Sequence, residues 1–126
     1  MVTQQLRDKS ATRQQNLFYA LAEPTRRDIV ELLASNGQLS ATDICENFTI
    51  SAPAISQHLK VLREADLVQM EKKAQQRIYQ LNPNAMMELE EWAERMRHLW
   101  DERFDALDKV LAEEQKKISR EKKKYE

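Results

Sequence analysis

Apolar side chains recur every three or four positions through the first half of the chain, which is the spacing of helices that bury one face. A first helix is predicted to begin near Arg13. A second begins at Pro24, because proline suits the first turn of a helix, and ends near Gly37. Ser40 is a good N-cap for a short third helix that ends by Thr49.

A fourth helix is predicted from about Ala52 to Ala65, with Ser51 as its N-cap. Its apolar residues repeat at i, i+4 and i+7 and must pack inward; they are Ile55, Leu59 and Leu62. The opposite face is rich in hydrogen-bond donors, namely Ser56, Gln57, Lys60 and Arg63. This face is either a solvated helix surface or a binding surface.

Two short runs of alternating apolar and polar residues follow, at 67–71 and 77–81. Alternation of this kind predicts the two strands of a β-hairpin. The segment between them, 72–76, contains Lys72 and Lys73, so the hairpin has a basic tip. Lysine and arginine there either contact a partner or protect an exposed strand edge from aggregation.

Nothing interrupts a helix from Pro83 to about Ile118, and a helix of roughly 50 Å is longer than one small domain needs for its own core. The apolar residues along it form one continuous stripe, which predicts a seam for a partner helix in a homodimer rather than a ligand pocket. The predicted seam residues are Leu89, Ala93, Met96, Trp100, Phe104, Leu107 and Leu111.

Length and composition favour one mainly α-helical domain, to which the patterns above add a small β-hairpin and a long C-terminal dimerisation helix. The chain has 126 residues, 41% of them hydrophobic and 33% charged, with a single glycine. Residues 1–12 are predicted to be a flexible arm, 13–82 the globular domain, 83–118 the long helix and 119–126 a charged tail. No segment has the apolar character of a signal peptide or of a membrane span, so we expect a cytoplasmic protein that does not bind membranes.

The net charge of −1 does not by itself suggest binding to a polyanion. The acidic excess lies after residue 82, however, and residues 60–77 carry five basic side chains against three acidic ones. The middle of the chain therefore has a modest basic patch.

Two short helices, an N-capped helix with a polar outer face and a hairpin follow one another in the order of a winged helix-turn-helix. Such a helix fits the major groove of DNA, where glutamine prefers adenine and lysine prefers guanine. The predicted groove contacts are Ser51, Ser56, Gln57 and Lys60. The predicted contacts of the hairpin with the DNA backbone or minor groove are Lys72, Lys73, Gln75, Gln76 and Arg77.

Two runs, LAEPTRRDI at 21–29 and SAPAISQHLKVLREA at 51–65, are similar to the opening signature and to the recognition helix of one known family. Over residues 15–82 the chain resembles that family, the ArsR/SmtB-type winged-helix repressors. The resemblance implies a dimer that represses transcription at a twofold symmetric DNA operator. It adds Ala52 and His58 to the expected groove contacts, although His58 fits a packing role equally well.

The departures from the family pattern also carry information. Metal-sensing relatives have a Cys-x-Cys where this chain has Ser40 and Thr42, and Cys45 alone does not make a metal site. We expect no metal and no cofactor, and the Trp92, Trp100 and Phe104 pattern is similar to the metal-free, autorepressor-like branch, with the inducer left open. Asp66 and Ala74 stand where the family usually has glycine, which predicts an altered helix exit and a less sharply turned wing.

Catalysis has no support in the sequence, since it contains no glycine-rich phosphate loop and no nucleophile elbow. The alternative to a DNA-binding regulator is a winged-helix module that binds another protein and no operator. The operator sequence, the release signal and the choice between repressor and activator stay open.

Overall fold

The computed structural model describes the backbone of residues 2–125 and the side chains of residues 11–123. Its elements follow in the order α1 (Val2–Ala22), α2 (Pro24–Asn36), β1 (Gln38–Ser40), α3 (Ala41–Glu46), α4 (Ala52–Glu64), β2 (Val68–Lys73), β3 (Gln76–Leu81) and α5 (Pro83–Tyr125). The chain divides into two compact units after Leu89. The first unit has α1 to α4, the sheet and the first turns of α5, and the second is the remainder of α5.

The first and last helices are longer than the sequence pattern predicts. The helix predicted to begin near Arg13 begins at Val2, so the backbone of residues 2–12 is helical where an arm was expected. The last helix continues from the predicted end near Ile118 to Tyr125. Both added segments lack proline and glycine and consist mostly of residues that tolerate a helix well. They therefore contain no residue that would end the helix.

Side-chain caps define the helices that carry the candidate site. Ser40 accepts a hydrogen bond from the backbone N–H of Asp43 at 3.1 Å, and Ser51 accepts one from that of Ala54 at 3.3 Å, as their N-cap positions predict. Glu23 caps α2 in the same way, accepting from the N–H of Arg26 at 2.9 Å. Each cap pairs one of the N–H groups that the first helical turn leaves without a partner.

The sheet has three antiparallel strands in the order β1, β3, β2. The hairpin of β2 and β3 was predicted, but β1 was not, because three residues are too few to show an alternating pattern. Lys73 pairs with Gln76, so the turn is only Ala74 and Gln75. The basic residues that the sequence placed at a five-residue tip therefore lie on paired strands.

Asp66 and Ala74 correct the expectation about missing glycines. Their φ angles are 59° and 56°, in the left-handed region that glycine enters without strain. The backbone therefore takes the glycine-like conformation at both positions, and neither the helix exit nor the wing turn is relaxed. Asp66 tolerates this region better than alanine does, because its short polar side chain can form local hydrogen bonds.

The core of the first unit lies between the helices and the sheet. The three inward residues predicted for α4 are buried, and they meet Leu67, Val68 and Tyr79 of the hairpin segment. Cys45 is half-buried and packs against this core. Burial of such side chains contributes on the order of 1.5–3 kcal/mol each, which holds α4 against the sheet at a fixed orientation.

Candidate nucleic-acid interface

Helix α4 has two different faces. Ile55, Leu59 and Leu62 are at most 2% exposed. Ser56, Gln57, Lys60 and Arg63 are exposed, as are Ser51 and Ala52 at the N-terminal end. The helix packs on α2, α3 and β2 through its apolar face, which leaves the polar face exposed.

Ser51 combines a structural role with an available donor. Its Oγ accepts the hydrogen bond that caps α4, and its hydroxyl proton is not used in that bond. The predicted groove contacts Ser51, Ala52, Ser56, Gln57 and Lys60 are thus exposed from the N-cap to the third turn of α4, whereas His58 is turned to one side.

His58 is half-buried and faces the junction of α1 and α2. Its Nδ1 lies 3.4 Å from Nη1 of Arg26 and 3.8 Å from Oε2 of Glu23. Arg26 is itself buried, and it donates from Nε to the carbonyl oxygen of Ala20 at 2.7 Å and from Nη2 to that of Tyr19 at 3.2 Å. His58, which was predicted to contact the groove, therefore contacts side chains at the junction of α1 and α2.

The sequence pattern predicts no separate roles for Arg26 and Glu23. Both lie inside the 21–29 motif, which carries the family resemblance but does not show which of its side chains meet α4. The hydrogen bond from the backbone N–H of Arg26 lowers the pKa of Glu23 below its ordinary value, and the neighbouring His58 ring and Arg26 guanidinium act in the same direction. The Glu23 carboxylate therefore stays ionised beside His58 of α4.

The hairpin presents its polar residues to solvent. Lys72, Lys73, Gln75, Gln76 and Arg77 are all exposed. Lys72 and Arg77 are direct cross-strand partners, a placement in which like charges repel each other. Among the described residues neither has an acidic partner within ion-pair distance.

A groove joins the hairpin to α4. It has a volume of about 390 Å³, lies between α3, α4 and β3, and is lined by Ser56 and Arg77 among others. The structure thus brings candidate residues of α4 and of the hairpin to one continuous surface.

The predicted dimer seam lies mostly on the second unit. Met96, Trp100, Phe104, Leu107 and Leu111 are large apolar residues that remain exposed, and Ala93 is exposed beside them. Leu89, by contrast, packs partly against the core of the first unit. Leu99, Val110 and Ile118 are further exposed apolar residues of α5 that the predicted spacing missed.

Two properties of the described residues concern membranes and metals. No helix among them combines the length and apolar character needed to cross a bilayer. In the same part of the chain, no group of three or more histidine, cysteine, aspartate or glutamate side chains is placed to hold a metal ion.

A polar helix packed on a helical pair, followed by a two-stranded wing, defines the class of winged helix-turn-helix proteins. The matching family model describes a bacterial regulatory protein of the arsR family and covers residues 23–70. The transcriptional repressor SdpR of Bacillus subtilis is 40% identical over 77 residues, which span 61% of this chain and 84% of SdpR. The chain therefore belongs to the arsR family.

Two further comparisons agree with this assignment. The HTH-type transcriptional regulator Rv2034 of Mycobacterium tuberculosis is 44% identical over 72 residues, 57% of this chain and 66% of that protein. The chain thus spans just under two thirds of Rv2034. The solved ArsR-like transcriptional regulator from Rhodococcus sp. RHA1 matches with a TM-score of 0.71 at 24% identity, over 81% of this chain and 93% of that one, and supports the fold alone.

Proposed function

We propose that this protein is a transcriptional repressor that binds a twofold symmetric DNA operator as a homodimer, with α4 in the major groove. The observation that carries the proposal is the exposed polar face of α4, held outward by a buried face on the same helix. Gln57 and Lys60 are the side chains for base edges, where glutamine pairs with adenine and lysine with guanine. Ser51, Ala52 and Ser56 are small enough to let the helix approach closely.

The wing supplies phosphate contacts. Lys72 opposite Arg77 is unfavourable in the free protein, and a phosphate bound between the two side chains would neutralise the repulsion. Lys73, Gln75 and Gln76 extend the same exposed surface around the turn. Contacts of this kind position the protein on the duplex more than they select a sequence.

A second copy completes the operator-binding unit. Two half-sites one helical turn apart require two recognition helices at a fixed spacing. The apolar stripe of α5, from Leu89 to Leu111, is the surface we assign to self-association. In this proposal the protein acts in the cytoplasm, needs no metal or cofactor and catalyses no reaction.

Salt dependence of DNA binding tests the proposal. Promoter fragments that the protein protects from nuclease cleavage serve as the probe, titrated at several salt concentrations. About six phosphate contacts per dimer predict a slope of about −5 in a plot of log affinity against log salt. A flat response, or no protected fragment, would favour the protein-binding module instead.

A pair of variants locates the interface. Lys60→Ala removes one exposed positive charge from α4, and Lys109→Ala removes one from α5. Lys60→Ala is expected to weaken specific binding by about 1–3 kcal/mol per half-site, the cost of losing one good base contact. Lys109→Ala is expected to leave the affinity within about twofold of the wild type. Equal losses of DNA affinity in both variants would show that α4 does not form the interface.

A further inference from the structure

Helix α4 has a different neighbour on each side of its polar face. Ser56 lies on the side that lines the groove shared with α3 and β3. His58 lies on the other side, where its Nδ1 is 3.4 Å from Nη1 of Arg26. Because a helix turns by about 100° per residue, Gln57 projects between these two positions. The polar face therefore lies between the wing and the α1–α2 junction, which comprises residues 19–27.

A helix that lies in the major groove has a sugar-phosphate backbone on each side. The groove is about 12 Å wide and a helix with its side chains is about 10–12 Å across, so the elements beside the helix face the two backbones. The wing presents its basic side chains on the Ser56 side. The α1–α2 junction takes the corresponding place on the His58 side, so its exposed side chains face the second backbone.

Tyr19 is an aromatic residue of this junction that remains 67% exposed. The centre of its ring lies 5.4 Å from Cζ of Arg26, and its backbone carbonyl oxygen accepts from Nη2 of the same guanidinium at 3.2 Å. These contacts hold the ring in place and do not use the hydroxyl group. Among the described side chains that hydroxyl forms no hydrogen bond, so its proton is available to a phosphate oxygen.

Arg27 adds an exposed positive charge to the junction. Its backbone N–H donates to the carbonyl oxygen of Glu23 at 3.2 Å, and residues four apart lie on one side of a helix. Glu23 reaches to 3.8 Å from His58, so that side of α2 faces α4. The Glu23 carboxylate accepts from the backbone N–H of Arg26 at 2.9 Å, and within the described part of the chain Arg27 has no ion-pair partner.

We propose that the α1–α2 junction is a second DNA-backbone contact, in which the Tyr19 hydroxyl and the Arg27 guanidinium bind phosphates on the border of the major groove opposite the wing. This inference rests on the proposed placement of α4 in that groove and adds the surface that holds its other side. The chain of contacts from His58 through Arg26 to the Tyr19 ring fixes the junction relative to α4. The orientation of His58 away from the groove thus serves the same interface.

Phosphate interference mapping tests the assignment in the full-length chain. The phosphates of a protected promoter fragment are ethylated at random, and the molecules that the protein no longer binds show which phosphates it requires. The wild type is expected to require phosphates on both borders of one major groove. Arg27→Gln should lose the requirement on one border, and Lys72→Gln of the wing should lose it on the other. An unchanged map in Arg27→Gln, or loss of the same phosphates in both variants, would overturn the proposal.

Affinity measurements separate the two side chains. Arg27→Gln should make the plot of log affinity against log salt shallower by about 2 per dimer, because each phosphate contact contributes about 0.9 to the slope and the dimer has two copies. Tyr19→Phe removes a neutral donor, so it should weaken binding about threefold to tenfold per half-site and leave the slope unchanged. Arg95→Gln removes an exposed positive charge from the second unit and should change neither quantity.

Stability measurements distinguish a DNA contact from a structural role. A phenylalanine ring can still lie over Arg26, so Tyr19→Phe should unfold at the same urea concentration as the wild type. Wild-type affinity in Tyr19→Phe, or a loss of affinity that parallels a loss of stability, would overturn the hydroxyl contact. If the wild type protected no promoter fragment, the proposed function itself would be contradicted. If the wild type bound and the junction variants bound equally well, only this inference would fail.

Discussion

The guanidinium group of Arg26 lies 3.4 Å from Nδ1 of His58, and this contact connects α2 to α4. The same group donates to the carbonyl oxygens of Ala20 and Tyr19, which belong to the last turn of α1 and have no partner within that helix. Its positive charge also lies where the α1 dipole is negative, and 5.4 Å from the centre of the Tyr19 ring. One buried side chain thus stabilises three helices at their meeting point.

Replacing Arg26 should destabilise the fold. Arg26→Met keeps most of the side-chain volume but leaves two carbonyl groups without a donor, one of them accepting a fully buried hydrogen bond. We expect the free energy of unfolding to fall by about 2–4 kcal/mol, since hydrogen bonds to charged donors contribute more than neutral ones. Urea denaturation followed by circular dichroism measures the change.

The neighbouring Arg27 supplies the control. It lies on the same helix and is exposed, so Arg27→Met should change the stability by no more than about 0.5 kcal/mol. If the two variants were equally stable, the buried hydrogen bonds of Arg26 would contribute nothing measurable.

Glu23 should make the stability sensitive to acid. Its pKa is lowered from the ordinary value of 4.5, chiefly by the hydrogen bond from the backbone N–H of Arg26. A carboxyl group with a lower pKa in the folded state stabilises the fold above its unfolded pKa, and that contribution is lost as the pH falls through the folded value. The unfolding midpoint of the wild type should therefore decline below about pH 4.5. Glu23→Gln should show a smaller decline.

Glu31→Gln makes the same charge change on an exposed position of α2. The quantity to compare is the difference in unfolding midpoint between pH 7 and pH 3.5, measured in urea for all three chains. An identical acid response in Glu23→Gln and the wild type would show that protonation of Glu23 is not coupled to unfolding.

The wing turn should be improved by glycine. Ala74 has a φ of 56°, which strains an L-residue by about 1–2 kcal/mol, while glycine adds about 0.4–1 kcal/mol of unfolded-state entropy. Ala74→Gly is therefore expected to stabilise the protein by about 0.5–1 kcal/mol. Gln75→Gly changes the next position of the same turn. It adds the same unfolded-state entropy without relieving a positive φ, so it should destabilise the protein. Thermal denaturation distinguishes the two, and stabilisation by both would point to a different cause.

The sequence predicted the elements that have strong periodicity and clear caps. The two-faced pattern of α4 and the capping position of Ser51 were sufficient to locate that helix to within a residue at its start. Strand β1 was missed because three residues carry no period, and the backbone of Ala74 was misjudged because a residue type gives a preference for φ rather than its value. The orientation of His58 depends on Arg26, which lies thirty-two positions away in the sequence, so no local pattern of α4 contains it.

Arsenite, Cd(II) and Zn(II) are expected not to release the protein from DNA. Soft ions of this kind require several thiolate or imidazole ligands, and α3 offers the single thiol of Cys45. Ser40 uses its hydroxyl to cap α3, and Thr42 is exposed in the position where a second thiol would be needed. In a gel-shift titration, the operator complex should therefore persist when each ion is added up to about a tenfold molar excess over the protein. Release at equimolar ion would contradict this prediction, and loss of that release in Cys45→Ser would assign the response to the thiol.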